Sequence, residues 1–343
     1  MKAPHNKSKS GCFWSKLAFG ALGGYIVTQQ AWALWQLLAQ TAEDNNQPLS
    51  FPQTDMPCTL ERQSTKETDH YTIAHTIEEG IERIVYTPKN RRFETPILMQ
   101  HGMWHGAWCW QLWQERFAEW GWETHAYSLP GHACSPARRP IARCTLNYYL
   151  NFLKAEVARM PAKPVLMGHS MGGALIQWYL NYVADDLPAA VLVAPWVSHS
   201  MFKDGFLSLL KFDPLSIPLM MLSWDATPMV RNARRGGVHF LISDRAVVSP
   251  QALRSRLGPE STLVLYQHNP PFWHPSESVR TPLLWIAAED DPLLAEPAER
   301  RSAEHYGADY KVVPQARHNV MMEHNYNETA ETIRAWLANQ EIA

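Results

Sequence analysis

Pro164-Val165-Leu166-Met167 is an apolar run that passes directly into Gly168-His169-Ser170-Met171-Gly172-Gly173 and then into a helical apolar pattern. Gly-x-Ser-x-Gly between a strand and a helix can lift a serine hydroxyl above a sheet. The turn strains the serine backbone, and glycines at 168 and 172 remove side chains that would collide there. Ser170 would then sit at a helix N-terminus, where free N–H groups and the dipole favour the negative charge that develops in acyl transfer. A Gly/Ser turn with no activity has the same five letters, so the inference needs partners elsewhere in the chain.

A serine hydroxyl is a poor nucleophile without a base, and that base needs an acid to orient it. Asp291 lies in Ile286-Ala287-Ala288-Glu289-Asp290-Asp291-Pro292, just past one apolar run, and His318 in Ala316-Arg317-His318-Asn319, just past the next. The order Ser, Asp, His suits a nucleophile elbow. The chain has 15 histidines, so one after a strand means little alone and the joint placement carries the argument. Asp290 is a rival acid; Asp291 is favoured because it sits deeper in the turn, directly before Pro292. His324 is a weaker rival base, lying far past the last strand. An oxyanion needs two N–H donors, and Met171, the residue after the nucleophile, supplies one. The second is assigned to Met103, in Ile97-Leu98-Met99-Gln100-His101-Gly102-Met103-Trp104, where Gly102 lets the chain turn after His101. His101, Gly102, Gly168, His169 and Gly172 are the supporting residues of this arrangement.

These residues need a frame, and the chain supplies one. Short β-type runs alternate with longer helical patterns past Asp69, which predicts an α/β domain with a mainly parallel sheet. Eight strands are expected: Tyr71–His75, Arg83–Tyr86, Ile97–His101, Glu123–Tyr127, Val165–Met167, Ala190–Val193, Leu283–Ala287 and Tyr310–Val313. Helices are expected over Ala107–Trp120, Leu146–Arg159, Gly172–Val183, Glu296–Tyr306 and Glu328–Asn339. Residues 197–279 interrupt the rhythm with Pro-punctuated, mostly helical sequence and read as an insertion after the sixth strand. Residues 67–343 form the expected folded domain, and 41–66, rich in Gln, Asn, Pro, Ser and Thr, the linker before it.

Residues 1–40 stand apart. Lys2, Lys7, Lys9 and Lys16 precede an uncharged run from Leu17 to Val27, and apolar sequence resumes at Ala31. A membrane anchor within residues 13–38, a cleaved signal peptide and an interfacial helix all fit, as does an amphipathic helix packed on the domain, with anchoring ranked ahead of cleavage. The expected location is therefore membrane-associated or exported, with the cytoplasm as the alternative.

Composition removes other classes. The chain has 343 residues, 46% hydrophobic and 19% charged, so it can bury a large core and is not disordered over most of its length. Lys+Arg of 31 against Asp+Glu of 33 gives a net charge of -2, which offers no basic field for nucleic acid. Cys12, Cys58, Cys109, Cys134 and Cys144 form an odd set without a C-x-x-C pair and are expected to be free thiols. No metal-ligand cluster or dinucleotide motif appears, so no metal and no cofactor is expected.

His101-Gly102, Leu129-Pro130-Gly131-His132, Gly168-His169-Ser170-Met171-Gly172-Gly173, the late Asp and the final His318 together resemble the α/β-hydrolase superfamily. Within it, the chain is most similar to the esterase, monoacylglycerol lipase and lysophospholipase-like branch. The resemblance covers Tyr71 to the C-terminus. It implies an eight-stranded, mostly parallel sheet flanked by helices, a helical lid inserted after the sixth strand, and a cofactor-free Ser-His-Asp mechanism. It also excludes the aspartate-nucleophile dehalogenases and epoxide hydrolases of the fold, because Ser170 holds the elbow. Two residues depart from the pattern: Ser128 stands where many members have Asp, and Ala133 where they have Gly.

The expected partner is a small-molecule ester, with lipid-like acyl groups preferred. Met201-Phe202, Phe206 to Leu210 and Ile217 to Leu222 suit an apolar lid. Phe272, Trp273 and His274 are candidates for the pocket mouth. Arg231, Arg234 and Arg235 are read as a solvated cluster without a role. Acyl transfer, thioester hydrolysis or carbon–carbon bond hydrolysis on the same three residues are the alternatives, followed by a non-catalytic binding protein of the fold.

Overall fold

The computed structural model describes residues 63–204, 214–231, 237–340 and 342, together with most of 23–39. Nine strands form one sheet: β1 (Gln63–Glu67), β2 (Tyr71–Glu78), β3 (Ile81–Pro88), β4 (Ile97–Gln100), β5 (Thr124–Tyr127), β6 (Val165–His169), β7 (Ala190–Val193), β8 (Leu283–Ala288) and β9 (Asp309–Val313). Their spatial order is β1-β2-β3-β5-β4-β6-β7-β8-β9. The first three strands and the β3–β5 pair are antiparallel, and every pair from β5 onward is parallel.

The central strands β4, β6, β7 and β8 are buried along their whole length. Helices cover both faces of such a sheet, so its strands read as unbroken apolar runs rather than alternating ones. Each Leu or Ile removed from water there contributes roughly 1.5–3 kcal/mol before entropy is counted. The helices that cover them are α1 (Gln111–Glu119), which packs on the last helix, α5 (Tyr326–Ala338), and α2 (Leu146–Arg159), which packs on α3 (Met171–Tyr182); α4 (Glu296–Tyr306) lies against β8 and β9. Thr145 caps α2 by accepting from the Tyr148 N–H at 3.1 Å.

The ninth strand is a correction to the expected eight. Gln63-Ser64-Thr65-Lys66-Glu67 is exposed at every position and lies at the sheet edge, so its side chains carry no apolar alternation and it reads as linker. Backbone pairing with Thr72–Thr76 alone defines it.

Between β7 and β8 the described residues form short helical turns at Met201–Asp204, Ser216–Ser223, Thr227–Arg231, Gly237–Phe240, Pro250–Arg256 and Leu263–Gln267. This insert carries the expected apolar residues, although Phe206 to Leu210, Arg234 and Arg235 lie outside the described residues. Arg231 donates to the Leu257 carbonyl at 3.4 Å. The described part of 23–39 is helical: Leu37 is buried with Trp224 and Leu263 of the insert, while Tyr25, Val27, Leu34, Trp35 and Leu38 are exposed. No helix among the described residues is long and apolar enough to cross a membrane. The basic head of the chain lies outside them.

The cysteines also differ from expectation. Cys109 and Cys144 are buried free thiols, but Cys134 is disulfide-bonded. Its partner lies outside the described residues, and nothing in the spacing of an odd set of five could have pointed to it.

Candidate active site

Ser170 follows β6 and precedes α3, with φ 54° and ψ -119°, a conformation that a side chain rarely adopts. The turn is held by close approach: a Cβ at Gly168 would lie 2.5 Å from the Gly172 carbonyl oxygen, and one at Gly172 would strike the Gln100 carbonyl oxygen. The strained turn lifts the Ser170 hydroxyl toward His318, whose Nε2 is 2.8 Å from the oxygen. His318 Nδ1 is in turn 2.6 Å from Asp291 Oδ2. The other carboxylate oxygen of Asp291 accepts from the Leu293 and Leu294 N–H groups at 2.8 and 3.3 Å. All three residues are buried, at 4%, 1% and 8% exposure for Ser170, His318 and Asp291. The structure therefore brings together three residues 148 and 27 positions apart in pairs, on the loops after β6, β8 and β9.

Asp290, the rival acid, is exposed, and His324 is half-exposed beside Glu323, so neither faces Ser170. The turn after Asp291 explains the difference, because the two N–H groups of Leu293 and Leu294 draw that carboxylate inward.

Neither the Met103 N–H nor the Met171 N–H donates a bond among the described residues, though the residues are only 4% and 0% exposed. Met171 is the first residue of α3, where the N–H has no partner within the helix. Met103 is oriented by the residue two before it. His101 Nδ1–H donates to the Gly102 carbonyl at 2.8 Å, and His101 Nε2 accepts from the Leu129 N–H at 3.0 Å. A trans peptide points its C=O and N–H in opposite directions, so holding the Gly102 carbonyl aims the Met103 N–H the other way. Gly102 itself is needed because a Cβ there would lie 2.8 Å from the Ser170 Cβ.

Three buried histidines around the site stay neutral. His101 and His169 are held well below the usual imidazole pKa, and His105 is lowered to about 4; burial is the first cause and neighbouring histidines add to it. His169 Nε2–H donates to the His318 carbonyl at 3.1 Å, and His105 Nδ1–H to the Met103 carbonyl at 2.6 Å. Asn319 Nδ2 donates to His105 Nε2 at 3.0 Å. In each neutral ring the bond to a carbonyl fixes the tautomer, and the ring adds no positive charge beside His318. His105 and Asn319 were not legible as site residues, because neither lies in a periodic pattern and each meets the other only through the fold.

Glu299 on α4 is fully buried, with no partner for either carboxyl oxygen among the described residues. Burial, and then the charge of Asp291, push its pKa well above the ordinary carboxyl value.

The two departures from the resemblance have local explanations. The Ser128 hydroxyl donates to Glu82 Oε2 at 2.5 Å and accepts from the Ala107 N–H at 2.8 Å, so a carboxylate reaches the strand-end turn from β3. Burial raises the Glu82 pKa, but bonds from His75, Ser128 and the Cys134 N–H outweigh it and hold the group below the ordinary range. Ala133 adopts φ 45°, the left-handed region in which glycine is favoured.

The pocket in front of Ser170 and His318, about 420 Å³ including its open mouth, is walled by Met103, Trp104, Trp196, Met201, Met229, Leu265, Leu293 and Leu294. Among the described residues, its walls carry no charged side chain. Phe272, Trp273 and His274 do not line it. Trp273 is fully buried, stacked on Trp178 with ring centroids 5.3 Å apart, and donates to the Ser198 carbonyl at 2.7 Å. No group of three or more His, Cys, Asp or Glu positioned to hold a metal occurs among the described residues.

Residues 97–332 match the model of a family described as the Alpha/beta hydrolase family. A protein of Oryza sativa subsp. indica named Probable esterase PIR7A is 32% identical over 95 residues, 27% of this chain and 36% of that one. A pyrethroid hydrolase of Sphingobium wenxiniae is 26% identical over 113 residues, 32% of this chain and 40% of that one. The matches thus span well under half the length of these curated relatives. Among solved structures, a soluble variant of monoglyceride lipase from Saccharomyces cerevisiae superposes with a TM-score of 0.60 at 15% identity, over 86% of this chain and 99% of that one. The monoacylglycerol lipase of Paleococcus ferrophilus gives 0.56 at 18% identity, over 76% and 99%.

Proposed function

The chain belongs to the alpha/beta hydrolase family, and from that premise we propose that it cleaves carboxylic esters of a lipophilic acyl group through an acyl-enzyme on Ser170. Ser170 Oγ attacks the ester carbonyl while His318 Nε2 takes its proton, and Asp291 orients the imidazole and balances its charge. The Met103 and Met171 N–H groups receive the oxyanion. The protonated His318 passes the proton to the leaving alcohol, and water repeats the sequence to release the acid.

One observation carries this reading: the unbroken chain of hydrogen bonds from Ser170 through His318 to Asp291 opens into an apolar pocket. Uncharged walls of Met, Leu and Trp favour an alkyl chain and penalise a charged acyl group, which would lose its hydration without a partner. The helical insert that supplies Met201, Met229 and Leu265 acts as the lid. The apolar side chains exposed on the helix within 23–39 support its placement against a membrane surface, which vesicle flotation tests.

The experiment is a p-nitrophenyl ester panel from acetate to palmitate on the full chain, with Ser170→Ala beside it and methanol as a competing acceptor. Hydrolysis absent from the variant and rising with chain length is the expected result. Turnover that survives Ser170→Ala removes the proposal, and methyl esters as the dominant product replace it with acyl transfer.

A further inference from the structure

Three successive carbonyls of the loop carrying Met103 are bonded, and not by the same part of the protein. The Gly102 and Met103 carbonyls accept from His101 and His105, within the loop itself. The Trp104 carbonyl instead accepts from the Gly258 N–H at 2.8 Å, and the Trp104 indole Nε1–H donates to the Ala226 carbonyl at 3.2 Å. Gly258 and Ala226 both belong to the insert. Trp104 is 4% exposed and adopts φ 63°, a left-handed conformation costing a bulky residue on the order of 1–3 kcal/mol.

The insert at that point is itself anchored. The Ala226 N–H donates to the Glu260 carbonyl at 2.9 Å, and Asp225 pairs antiparallel with Ser261. The fully buried Glu260 carboxylate then reaches back to the core, 3.0 Å from His132 Nε2 and accepting from the Tyr149 hydroxyl at 3.0 Å. The His132 ring packs 5.0 Å from His101. Both ends of the loop, His101 and Trp104, thus close onto the segment around Glu260.

We propose that Trp104 is a positioning residue through which the insert holds the Met103 N–H in oxyanion-binding geometry. The proposal rests on the reading of the site given above. A left-handed tryptophan persists only where its surroundings over-determine it. Once the bonds to Ala226 and Gly258 are lost, the backbone at 104 relaxes, and the Met103–Trp104 peptide turns and pulls on the adjoining Gly102–Met103 peptide, whose N–H His101 otherwise aims. Ester binding relies on the apolar walls, whereas the oxyanion exists only in the transition state, so the loss falls on kcat.

The test uses Trp104→Phe, which deletes the indole N–H and keeps an aromatic ring, and Gly258→Pro, which deletes the amide N–H at the other end of the contact. The proline Cδ takes the place of the N–H that faces the Trp104 carbonyl at 2.8 Å, so this variant deletes the bond and displaces that carbonyl. Ester kinetics are read together with the rate at which an uncharged alkyl fluorophosphonate labels Ser170. Each variant is expected to lose roughly 10- to 100-fold in kcat, with KM within about twofold in Gly258→Pro, which leaves the Trp104 side chain that walls the pocket unchanged. The labelling rate falls in parallel, and the double variant loses no more than the worse single one. An unchanged kcat in folded Trp104→Phe or Gly258→Pro, a KM that rises as kcat falls in Gly258→Pro, or fully additive losses overturn the inference while leaving the hydrolase reading intact. A wild-type protein with neither turnover nor labelling overturns that reading and this inference with it.

Discussion

His169 donates its Nε2 proton to the backbone carbonyl of His318 at 3.1 Å, so the residue before the elbow serine holds the loop of the residue that faces it. The bond spans 149 positions of sequence and fixes the separation between the two loops. His169→Phe keeps an aromatic ring and deletes the donor, leaving the His318 carbonyl with the Val320 N–H, at 3.0 Å, as its remaining partner. Urea unfolding should show a loss of about 0.5–1.5 kcal/mol, the net worth of one buried hydrogen bond, and ester kinetics a drop in kcat larger than any change in KM. Unchanged stability and kcat would show that the contact holds nothing.

The residues around Ser170 act as one unit in the proposed mechanism. Ser170→Ala and His318→Ala should each lower kcat by about 10⁴- to 10⁶-fold, and the double variant by no more than the worse single one. Asp291→Asn should cost on the order of 10⁴-fold, because it leaves His318 in the wrong tautomer. Asp290→Asn should stay within about twofold of wild type, since that side chain is in solvent. A large loss in Asp290→Asn with a mild one in Asp291→Asn would exchange their roles.

Acid should destabilise the fold through groups that stay neutral. His101, His105, His169 and His268 are lowered below the ordinary value of 6.5, His105 to about 4 and His268 to about 3, with burial the first cause. Below about pH 6.5 the unfolded chain therefore binds more protons than the folded one. Stability rises with pH across this window and is lost as pH falls, with a slope of up to about 1.4 kcal/mol per pH unit for each group. Thermal unfolding at pH 7 and pH 5 reads the loss directly. His268→Gln should shrink the difference between the two, and an equal difference would mean that His268 is charged in the fold.

Glu299 has the opposite sign. Its raised pKa means that the folded state holds a proton the unfolded chain releases above about pH 4.3, so its contribution to stability declines as pH rises. Glu299→Gln keeps the shape without the ionisation. It should raise Tm at pH 8 by about 2 °C or more relative to wild type, and the advantage should vanish near pH 4. A gap of the same size at both values would trace the effect to packing.

Much of this site is legible in sequence because strand, turn and helix each leave a local pattern. The expected helices Leu146–Arg159 and Glu296–Tyr306 coincide with α2 and α4, and Ser170, Asp291 and His318 each sit just past an apolar run. What could not be read depends on contacts between distant segments. His105 meets Asn319, Trp104 meets Ala226, and Glu260 meets His132 only after the chain has folded. The strand Gln63–Glu67 was hidden for the converse reason: its pairing is all backbone, and its exposed side chains record none of it.

The Glu82–Ser128 pair changes how a substitution in this turn should be judged. A column-by-column comparison would score Ser128 as an acid that has been lost. The negative charge at this turn comes instead from Glu82 on the adjacent strand, joined to Ser128 by one hydrogen bond. Restoring an aspartate at 128 alone would place two carboxylates in one buried spot, whereas the same change made together with Glu82→Gln would relocate the charge. The two positions are therefore coupled, and a substitution at either changes the charge that the other must accommodate.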